Sequence, residues 1–137
     1  MRNIYLSVVT FSVLLFAMPL RAELVDIDNA RLQALIDEGV PVIDVRREDE
    51  WQETGIIEGS ILQTFFDKAG RYDAPKWLSE LSVTIDTSDP FILICHSGTR
   101  SSIIGKWLGK QFETVYNVED GIVEWLVDKQ PVVALDK

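Results

Sequence analysis

The sequence is poor in the residues that form covalent and metal crosslinks. It contains one cysteine, Cys95, and one histidine, His96, and the two are neighbours. A lone cysteine cannot form a disulfide within the chain, and the sequence offers no cluster of cysteine and histidine ligands for a metal ion. The chain also has no internal repeat and no linker rich in glycine, proline or serine. Its 137 residues therefore predict one domain around one core.

Basic residues are scarce as well. Thirteen lysines and arginines face 22 aspartates and glutamates, and the formal net charge is −9. Without residues 1–22, which hold two arginines and no acid, 11 basic residues remain and the net charge is −11. Such a surface repels nucleic acid and anionic membranes, so we expect neither as a partner. An anionic substrate would need a pocket that is locally positive.

The one long hydrophobic run lies at the start of the chain. Residues 1–3 include Arg2, the stretch from Ile4 to Leu20 is almost wholly apolar, and Arg21-Ala22-Glu23 follows. A basic start, an apolar run and a small residue before a polar one are typical of a secretory signal peptide. We predict cleavage after Ala22 and a periplasmic or secreted domain at 23–137 with no stable membrane association. The alternative is an uncleaved N-terminal membrane anchor, for which the run is short.

Apolar runs and amphipathic segments alternate along the rest of the chain. The pattern predicts strands at 24–27, 42–46, 61–62, 91–94 and 114–118, with helices between them and a last helix at 122–129. The residues at 65–73 mix aromatic and charged side chains and indicate an irregular segment. Because it follows a strand end it could form the rim of a pocket, but we prefer the alternative in which its aromatic side chains belong to the core and its charged ones are solvated. Alternating strands and helices predict a three-layer α/β domain, in which a mostly parallel five-stranded sheet has helices on both faces.

The stretch from Cys95 to Ser101 stands between the apolar strand at 91–94 and an amphipathic helix. The carboxyl end of a strand that faces a helix start is where α/β proteins bind anions or place nucleophiles. Free amide groups and the helix dipole there favour a thiolate, the reactive form of cysteine. Gly98 permits a tight curl of the backbone, and Arg100 adds a fixed positive charge. These features favour a reactive thiol over the alternative, a small buried hydrophobic residue that ends a core strand.

The spacing in this loop separates two chemistries. Cysteine-dependent phosphatases place five residues between cysteine and arginine, whereas four residues separate Cys95 from Arg100. A shorter ring suits something smaller than a tetrahedral oxyanion, such as one sulfur atom carried on the cysteine. The segment Cys-His-Ser-Gly-Thr-Arg-Ser at 95–101 resembles the active-site loop of single-domain rhodaneses, or thiosulfate sulfurtransferases.

Two further segments carry the same resemblance. Residues 44–59 hold Asp-Val-Arg, Glu-Trp and two glycines in the pattern of that family's first signature, but Ile56 and Glu58 replace the usual histidine and proline. Residues 119–122 with Trp125 are similar to the family's closing Gly-Gly-Ile segment, with Asp120 in place of the first glycine, and are expected to be structural. The resemblance covers about residues 27–125 and implies the rhodanese fold.

Several side chains near Cys95 have alternative roles. Asp44 and Arg46 end a neighbouring strand, where they could support the loop. Alternatively Asp44 orders a turn and Arg46 pairs with Glu50 at the surface, which we prefer for Arg46. Arg100 either grips the sulfonate end of a donor or braces the loop against Asp44 or Glu50. The nucleophile and the loop residues of the candidate site are Cys95, His96, Ser97, Gly98, Thr99, Arg100 and Ser101. His96 could act as a base, although the loop amides could activate the thiol without it.

The resemblance implies a sulfurtransferase that works by double displacement without a metal or organic cofactor. The Cys95 thiolate would take the sulfane sulfur of thiosulfate or a similar small donor, and the persulfide would pass it to cyanide or a thiol. Amides at 97–101 would stabilise the persulfide anion. One alternative is a phosphatase or arsenate reductase on the same fold, which the loop length disfavours. The other is a non-catalytic sulfur carrier or a module that docks an unidentified protein acceptor.

Overall fold

The computed structural model describes residues 23–135, and the predicted signal peptide at 1–22 lies outside the described residues. The strands are β1 (Glu23–Ile27), β2 (Val42–Asp44), β3 (Ile61–Leu62), β4 (Phe91–Ile94) and β5 (Thr114–Val118). The helices are α1 (Asn29–Asp37), α2 (Glu48–Thr54), α3 (Ala74–Thr84), α4 (Thr99–Leu108) and α5 (Gly121–Val127). No helix within the described range is long and apolar enough to cross a bilayer.

The five strands form one parallel sheet in the order β1-β5-β4-β2-β3, which confirms the predicted α/β class. Strand β4 lies at the centre and all four of its residues are buried, which explains why it is an unbroken apolar run rather than an alternating one. Its register with β2 sets Asp44 beside Ile94. The carboxyl ends of β2 and β4 therefore meet at one edge of the sheet, immediately before Cys95.

Helices cover both faces of the sheet, as the alternating pattern predicts. One buried cluster joins α3 and α4 to the sheet and includes Trp77, Leu81, Ile104 and Leu108. A second cluster on the other face joins α1 and α5 to the sheet, and Trp125 is its largest side chain. Helices α1, α3, α4 and α5 thus bury apolar side chains against the sheet, and the hydrophobic effect holds the three layers together.

Local signals in the sequence explain where the helices start. The Asp28 side chain accepts a hydrogen bond from the amide of Arg31 at 2.8 Å and caps α1, and Asp73 caps α3 through the amide of Lys76 at 3.1 Å. Pro75 stands in the first turn of α3, where a missing N–H costs nothing. Helix α4 has no such side-chain cap, and its N-cap is Gly98 with a left-handed φ of 85°. The first amide groups of α4 therefore have no acceptor on an N-cap side chain.

Helix α4 buries only part of its apolar side. The spacing of Ile103, Ile104, Trp107 and Leu108 sets them on one side of the helix, and Ile104 and Leu108 are buried. Ile103 is exposed and Trp107 is half-buried, because the stripe that contacts the sheet is narrower than the apolar face of the helix. The helix therefore carries an apolar surface that the sheet does not cover.

Candidate active site

The thiol of Cys95 lies directly after β4 and is surrounded by donors. The amide of Gly98 donates to Sγ at 3.2 Å, and the hydroxyl of Ser101 lies 3.3 Å from the same atom. The Ser101 hydroxyl is also 3.2 Å from the carbonyl oxygen of Gly98, so its single proton has two acceptors. A negative charge on the sulfur would draw that proton toward it. Since Cys95 is only 1% exposed, these interactions lie in a low-dielectric setting that strengthens them.

The curl of the loop depends on a close approach between two backbone segments. A Cβ at Gly98 would stand 1.8 Å from the carbonyl oxygen of Glu119, and one at Gly121 would stand 2.4 Å from that of His96. The amide of Ile122 donates to the carbonyl of Cys95 at 2.9 Å, and that of Val123 donates to His96 at 3.1 Å. The start of α5 is therefore fastened to the loop, which gives the structural segment at 119–122 a direct part in shaping the site.

Arg100 is held by an acid on a different helix. Its guanidinium donates to both carboxylate oxygens of Glu50, at 2.9 Å and 2.5 Å. Burial by itself would raise the pKa of Glu50, but the hydrogen bonds from Arg100 and from the backbone of Arg47 outweigh it and lower that pKa to about 2. The Glu50 hydrogen bond also raises the pKa of Arg100. Of the two roles expected for Arg100, the geometry matches the brace, with Glu50 as its partner; the substrate-binding role stays a prediction.

The expectation that Arg46 pairs with Glu50 at the surface is wrong. Arg46 is fully buried, and its Nε and Nη2 donate to the carboxylate of Asp44 at 2.7 to 3.1 Å. Further donors of the same guanidinium reach the Thr54 hydroxyl at 2.7 Å and the Gly55 carbonyl at 3.0 Å. A guanidinium can enter the interior here because a planar, bidentate partner and two more acceptors satisfy it. The pair ties β2 to the end of α2, and neither side chain hydrogen-bonds to the residues at 95–101 within the described part of the chain.

The other loop side chains face water. His96, Ser97 and Thr99 are exposed, and the His96 imidazole makes no hydrogen bond to Cys95 within residues 23–135. The structure thus brings Gly98 and Ser101 onto the sulfur and places Arg100 beside them, while the three exposed residues line the outside of the loop. A role for His96 as a base gains no support from this geometry.

A cavity of about 390 Å³ opens next to Arg100. Its wall includes Phe66, Lys68 and Gly70, so part of the irregular segment at 65–73 does form a pocket rim, whereas Phe65 is buried in the core. Arg47, Lys68 and Arg100 line it together with one acid, Asp67, although acids outnumber bases across the chain. Arg47 and Arg100 are paired with acids, so Lys68 supplies the unpaired positive charge of this wall among the described residues.

Sequence reasoning treated the loop side chains as one group and did not single out Ser101. Ser101 is the third residue of α4, and side chains in a first helical turn point back toward the helix start. The sequence could therefore have indicated that the Ser101 side chain points toward Cys95, which lies just before the helix. The close approach of Glu119 and Gly121 to the loop could not be predicted from the sequence, because backbone atoms of segments far apart in the chain make these contacts.

Comparisons with known proteins identify the family. Residues 28–128 match the model of the rhodanese-like domain family. The chain is 35% identical over 112 residues to the "Putative sulfurtransferase YtwF" of Bacillus subtilis (strain 168), covering 80% of this chain and 97% of that protein. It is 28% identical over 114 residues to the "Rhodanese-like domain-containing protein 17" of Arabidopsis thaliana, covering 80% and 73%.

A solved structure shares the same architecture. The crystal structure of a rhodanese-related protein from Thermoplasma volcanium superimposes with a TM-score of 0.61 at 27% identity, covering 81% of this chain and 99% of that one. The site at 95–101 and the five-stranded sheet thus define a rhodanese-like domain. The chain belongs to the rhodanese-like domain family.

Proposed function

We propose that the protein is a sulfurtransferase that carries a sulfur atom as a persulfide on Cys95. The observation that carries this proposal is the pair of donors on the sulfur, the Gly98 amide at 3.2 Å and the Ser101 hydroxyl at 3.3 Å. Both belong to the first turn of α4 or its cap, so the positive end of the helix dipole reinforces them. A thiolate or a persulfide anion at this position is stabilised in the same way.

The proposed reaction has two displacement steps and needs no outside oxidant. In the first, the Cys95 thiolate attacks the sulfane sulfur of thiosulfate, the bond between the two sulfur atoms of thiosulfate breaks, and sulfite leaves with the electron pair. In the second, a thiophile such as cyanide or a thiolate attacks the outer sulfur of the persulfide. The persulfide bond breaks and its electron pair returns to Cys95 as a thiolate.

Two features support a small donor. Cys95 is nearly buried, so a donor that presents one sulfur at a narrow end reaches it more readily than a bulky one. Four residues separate Cys95 from Arg100, one fewer than in the phosphatase loop, which disfavours a phosphate ester or an arsenate. The sulfurtransferase name of the Bacillus relative supports the same reaction class.

The reaction can be tested by mass spectrometry of the intact protein. After treatment with thiosulfate we expect the mass to rise by one sulfur atom, and we expect cyanide to remove that atom. Cys95→Ser should gain nothing while its circular dichroism stays native. A wild-type protein that gains no sulfur, or a Cys95→Ser protein that transfers sulfur at a near-normal rate, would refute the mechanism.

The same experiment separates turnover from carriage. We propose an enzyme, so multiple turnovers with free thiosulfate and cyanide are expected. A persulfide that forms but is released only to a partner protein would identify the domain as a sulfur carrier instead.

We also propose that the domain is exported, on the strength of the signal-like segment at 1–22. Expression of the full chain in a bacterium followed by fractionation tests this proposal. The mature protein should occur outside the cytoplasm and begin at Glu23. A full-length chain that sediments with membranes would favour the anchor.

A further inference from the structure

The residues that follow α5 lead back to the end of α2. Residues 131–135 of this segment are here called the strap. The amide of Val133 donates to the carbonyl of Ile56 at 2.8 Å, and the amide of Ile56 donates to the carbonyl of Val133 at 2.9 Å. These two hydrogen bonds form an isolated antiparallel bridge that stands outside the parallel sheet. The strap is therefore attached directly behind the last residue of α2 and its cap.

The strap lies tightly against the cap of α2. The cap is Gly55, with a left-handed φ of 78°, and a Cβ there would stand 2.7 Å from the carbonyl oxygen of Val133 and 3.3 Å from the side chain of Val132. Only glycine lets the two backbones come this close. The carbonyl of Gly55 also accepts a hydrogen bond from the buried Arg46 guanidinium at 3.0 Å. The strap thus contacts the residue that ends α2 and that helps to hold Arg46.

The strap is also attached to α5. The indole N–H of Trp125 donates to the carbonyl of Pro131 at 2.9 Å, and the Gln130 amide, just before the strap, donates to the carbonyl of Trp125 at 3.0 Å. Trp125 is only 1% exposed, and Val132 of the strap packs against the buried cluster to which it belongs. The strap therefore connects two helices, α2 and α5, that are far apart in the sequence.

These two helices are the ones that hold the loop of Cys95. Helix α2 carries Glu50, whose carboxylate binds the guanidinium of Arg100. Amides in the first turn of α5 donate to the carbonyl groups of Cys95 and His96. The strap touches neither the sulfur nor the loop through these bonds, but it joins both supports of the loop to each other.

Both supports are short helices that depend on their neighbours. Helices α2 and α5 have seven residues each, and a helix of that length is marginal without tertiary contacts. Trp51 is the buried residue of α2, and its indole N–H has no hydrogen-bond partner within residues 23–135. Helix α2 is therefore held chiefly at its two ends, through Glu50 in its first turn and through Gly55 and the strap behind its last turn.

We propose that the strap is a positioning element for sulfur transfer, and that Val133 acts on Cys95 by keeping α2 and α5 in their places against the loop. The proposal rests on the sulfurtransferase function proposed above and gives the strap no contact with substrate. Pro131, Val133 and Ala134 are exposed, so the strap can detach locally while the sheet stays folded. Detachment frees both supports of the loop, and the Gly98 amide is then no longer held on the sulfur.

Two proline variants test the bridge. Val133→Pro removes the N–H that donates to Ile56, and we expect persulfide formation with thiosulfate to slow about threefold or more. Ala134→Pro is the matched control, because the Ala134 amide has no acceptor in the described part of the chain, and a proline there favours the extended backbone that Val133 needs. It should form the persulfide at the wild-type rate, as should Val133→Ala, which keeps the N–H. Equal rates in the two proline variants would overturn the proposal.

A general loss of stability is excluded by a variant that is destabilised elsewhere. Gly39 lies at the end of α1 with a left-handed φ of 85° and open space around its Cβ position. Gly39→Ala should lower the free energy of unfolding but leave the rate of persulfide formation unchanged, with all proteins measured well below their unfolding temperatures. If Gly39→Ala slowed persulfide formation as much as Val133→Pro, the strap would stabilise the domain without positioning the loop.

NMR spectra of the protein without substrate separate this proposal from the sulfurtransferase proposal. In Val133→Pro we expect the amide signals of Gly98 and Ile122 to shift, because the first donates to the sulfur of Cys95 and the second to its carbonyl. In Ala134→Pro only signals near the substitution should shift. Shifts at the loop in Val133→Pro, together with no sulfur on the wild type after thiosulfate, would sink only the sulfurtransferase function. Shifts confined to the strap and to residues 54–57, in a protein that does form the persulfide, would sink only the positioning role.

A milder variant covers the case in which Val133→Pro does not fold. Val132→Ala shortens the side chain that packs against the buried cluster and leaves every backbone hydrogen bond of the strap in place. It should slow persulfide formation and shift the same loop signals to a smaller extent. Val127→Ala, an exposed position on α5, is its control and should behave as wild type. Identical rates and loop signals in Val132→Ala and Val127→Ala would overturn the proposal.

Discussion

Glu50 binds Arg100 through both carboxylate oxygens, although the two residues are fifty positions apart in the chain. The contact fastens α2 to the first turn of α4, and so fixes the loop that holds Cys95. It also means that the arginine of the loop already has an anion before any substrate arrives. A donor must therefore use the remaining N–H groups of Arg100 or other donors of the loop.

Removing the charge of Glu50 should destabilise the domain. The two side chains are only 15% and 23% exposed, so Glu50→Gln leaves a partly buried guanidinium without its anion. We expect the free energy of unfolding at pH 7 to fall by about 1–3 kcal/mol, measured by urea denaturation. Glu48→Gln, which changes an exposed acid in the same helix turn, should have little effect. Equal losses of unfolding free energy in the two variants would show that the pair of Glu50 and Arg100 adds no stability beyond that of an exposed acid.

The same pair predicts a dependence of stability on pH. Burial opposes ionisation of Glu50, but the hydrogen bonds from Arg100 and from the Arg47 backbone outweigh it and lower the pKa of Glu50 from its ordinary 4.5 to about 2 in the folded state. A carboxyl whose folded pKa is depressed contributes stability above its unfolded pKa, and this contribution is lost as the pH falls from 4.5 toward 2. The difference in unfolding free energy between wild type and Glu50→Gln should therefore be constant from pH 6 to 8 and shrink below about pH 4.5. A difference that stayed constant down to pH 3 would contradict the assigned pKa.

The sequence predicted the order of elements because each carries its own local signal. The buried run at 91–94, the caps at Asp28 and Asp73, and Pro75 in the first turn of α3 act over a few residues and leave little choice of structure. The bounds predicted for the last helix, 122–129, differ from those observed, because the helix begins at Gly121 and ends at Val127. Helix ends are decided by single hydrogen bonds, which patterns of hydrophobicity do not encode.

The site was predictable where chemistry depends on neighbours in sequence, and not where it depends on distant ones. Cys95, Gly98 and Arg100 could be placed together because they share one loop. The burial of Arg46 could not be read from the sequence, because it depends on Asp44, Thr54 and the Gly55 carbonyl converging on one guanidinium. From the sequence alone, an arginine two residues after a buried strand is expected at the surface. Only the structure shows the acceptors that allow this one to be buried.

The Ser101 hydroxyl should contribute to sulfur transfer without holding the fold. Ser101→Ala removes one of the two donors to Sγ of Cys95 and leaves the Gly98 amide in place. We expect the rate of persulfide formation with thiosulfate to fall about tenfold, since a hydrogen bond to a charged group is worth about 1.5–3 kcal/mol. Ser102→Ala is the matched control on the next position of α4. If both variants formed the persulfide at the wild-type rate, the hydroxyl would have no role in stabilising the anion.

The buried pair of Asp44 and Arg46 should be far more sensitive than an exposed pair. Arg46→Met leaves the Asp44 carboxylate buried without its counter-charge, and we expect a loss of about 3–5 kcal/mol in unfolding free energy. Arg31→Met breaks the exposed pair with Glu38 and should cost less than about 1 kcal/mol. Urea denaturation of both proteins measures the difference. Similar small losses would mean that water reaches Asp44.

Gly98 should tolerate no side chain, because a Cβ there would collide with the backbone. Gly39 is the control that separates this collision from the strain of a left-handed φ. Gly39 has the same φ of 85° but open space around its Cβ position, whereas a Cβ at Gly98 would collide with the carbonyl of Glu119. Gly39→Ala should therefore cost only the strain of a left-handed alanine, about 1–2 kcal/mol. Gly98→Ala should cost clearly more and should also slow persulfide formation, because the backbone at 119 must move away and the Gly98 amide must leave the sulfur. Unfolding free energies and the rate of sulfur uptake from thiosulfate measure the two effects. If Gly98→Ala lost no more stability than Gly39→Ala and took up sulfur at the wild-type rate, the contact with residue 119 would not be what shapes the loop.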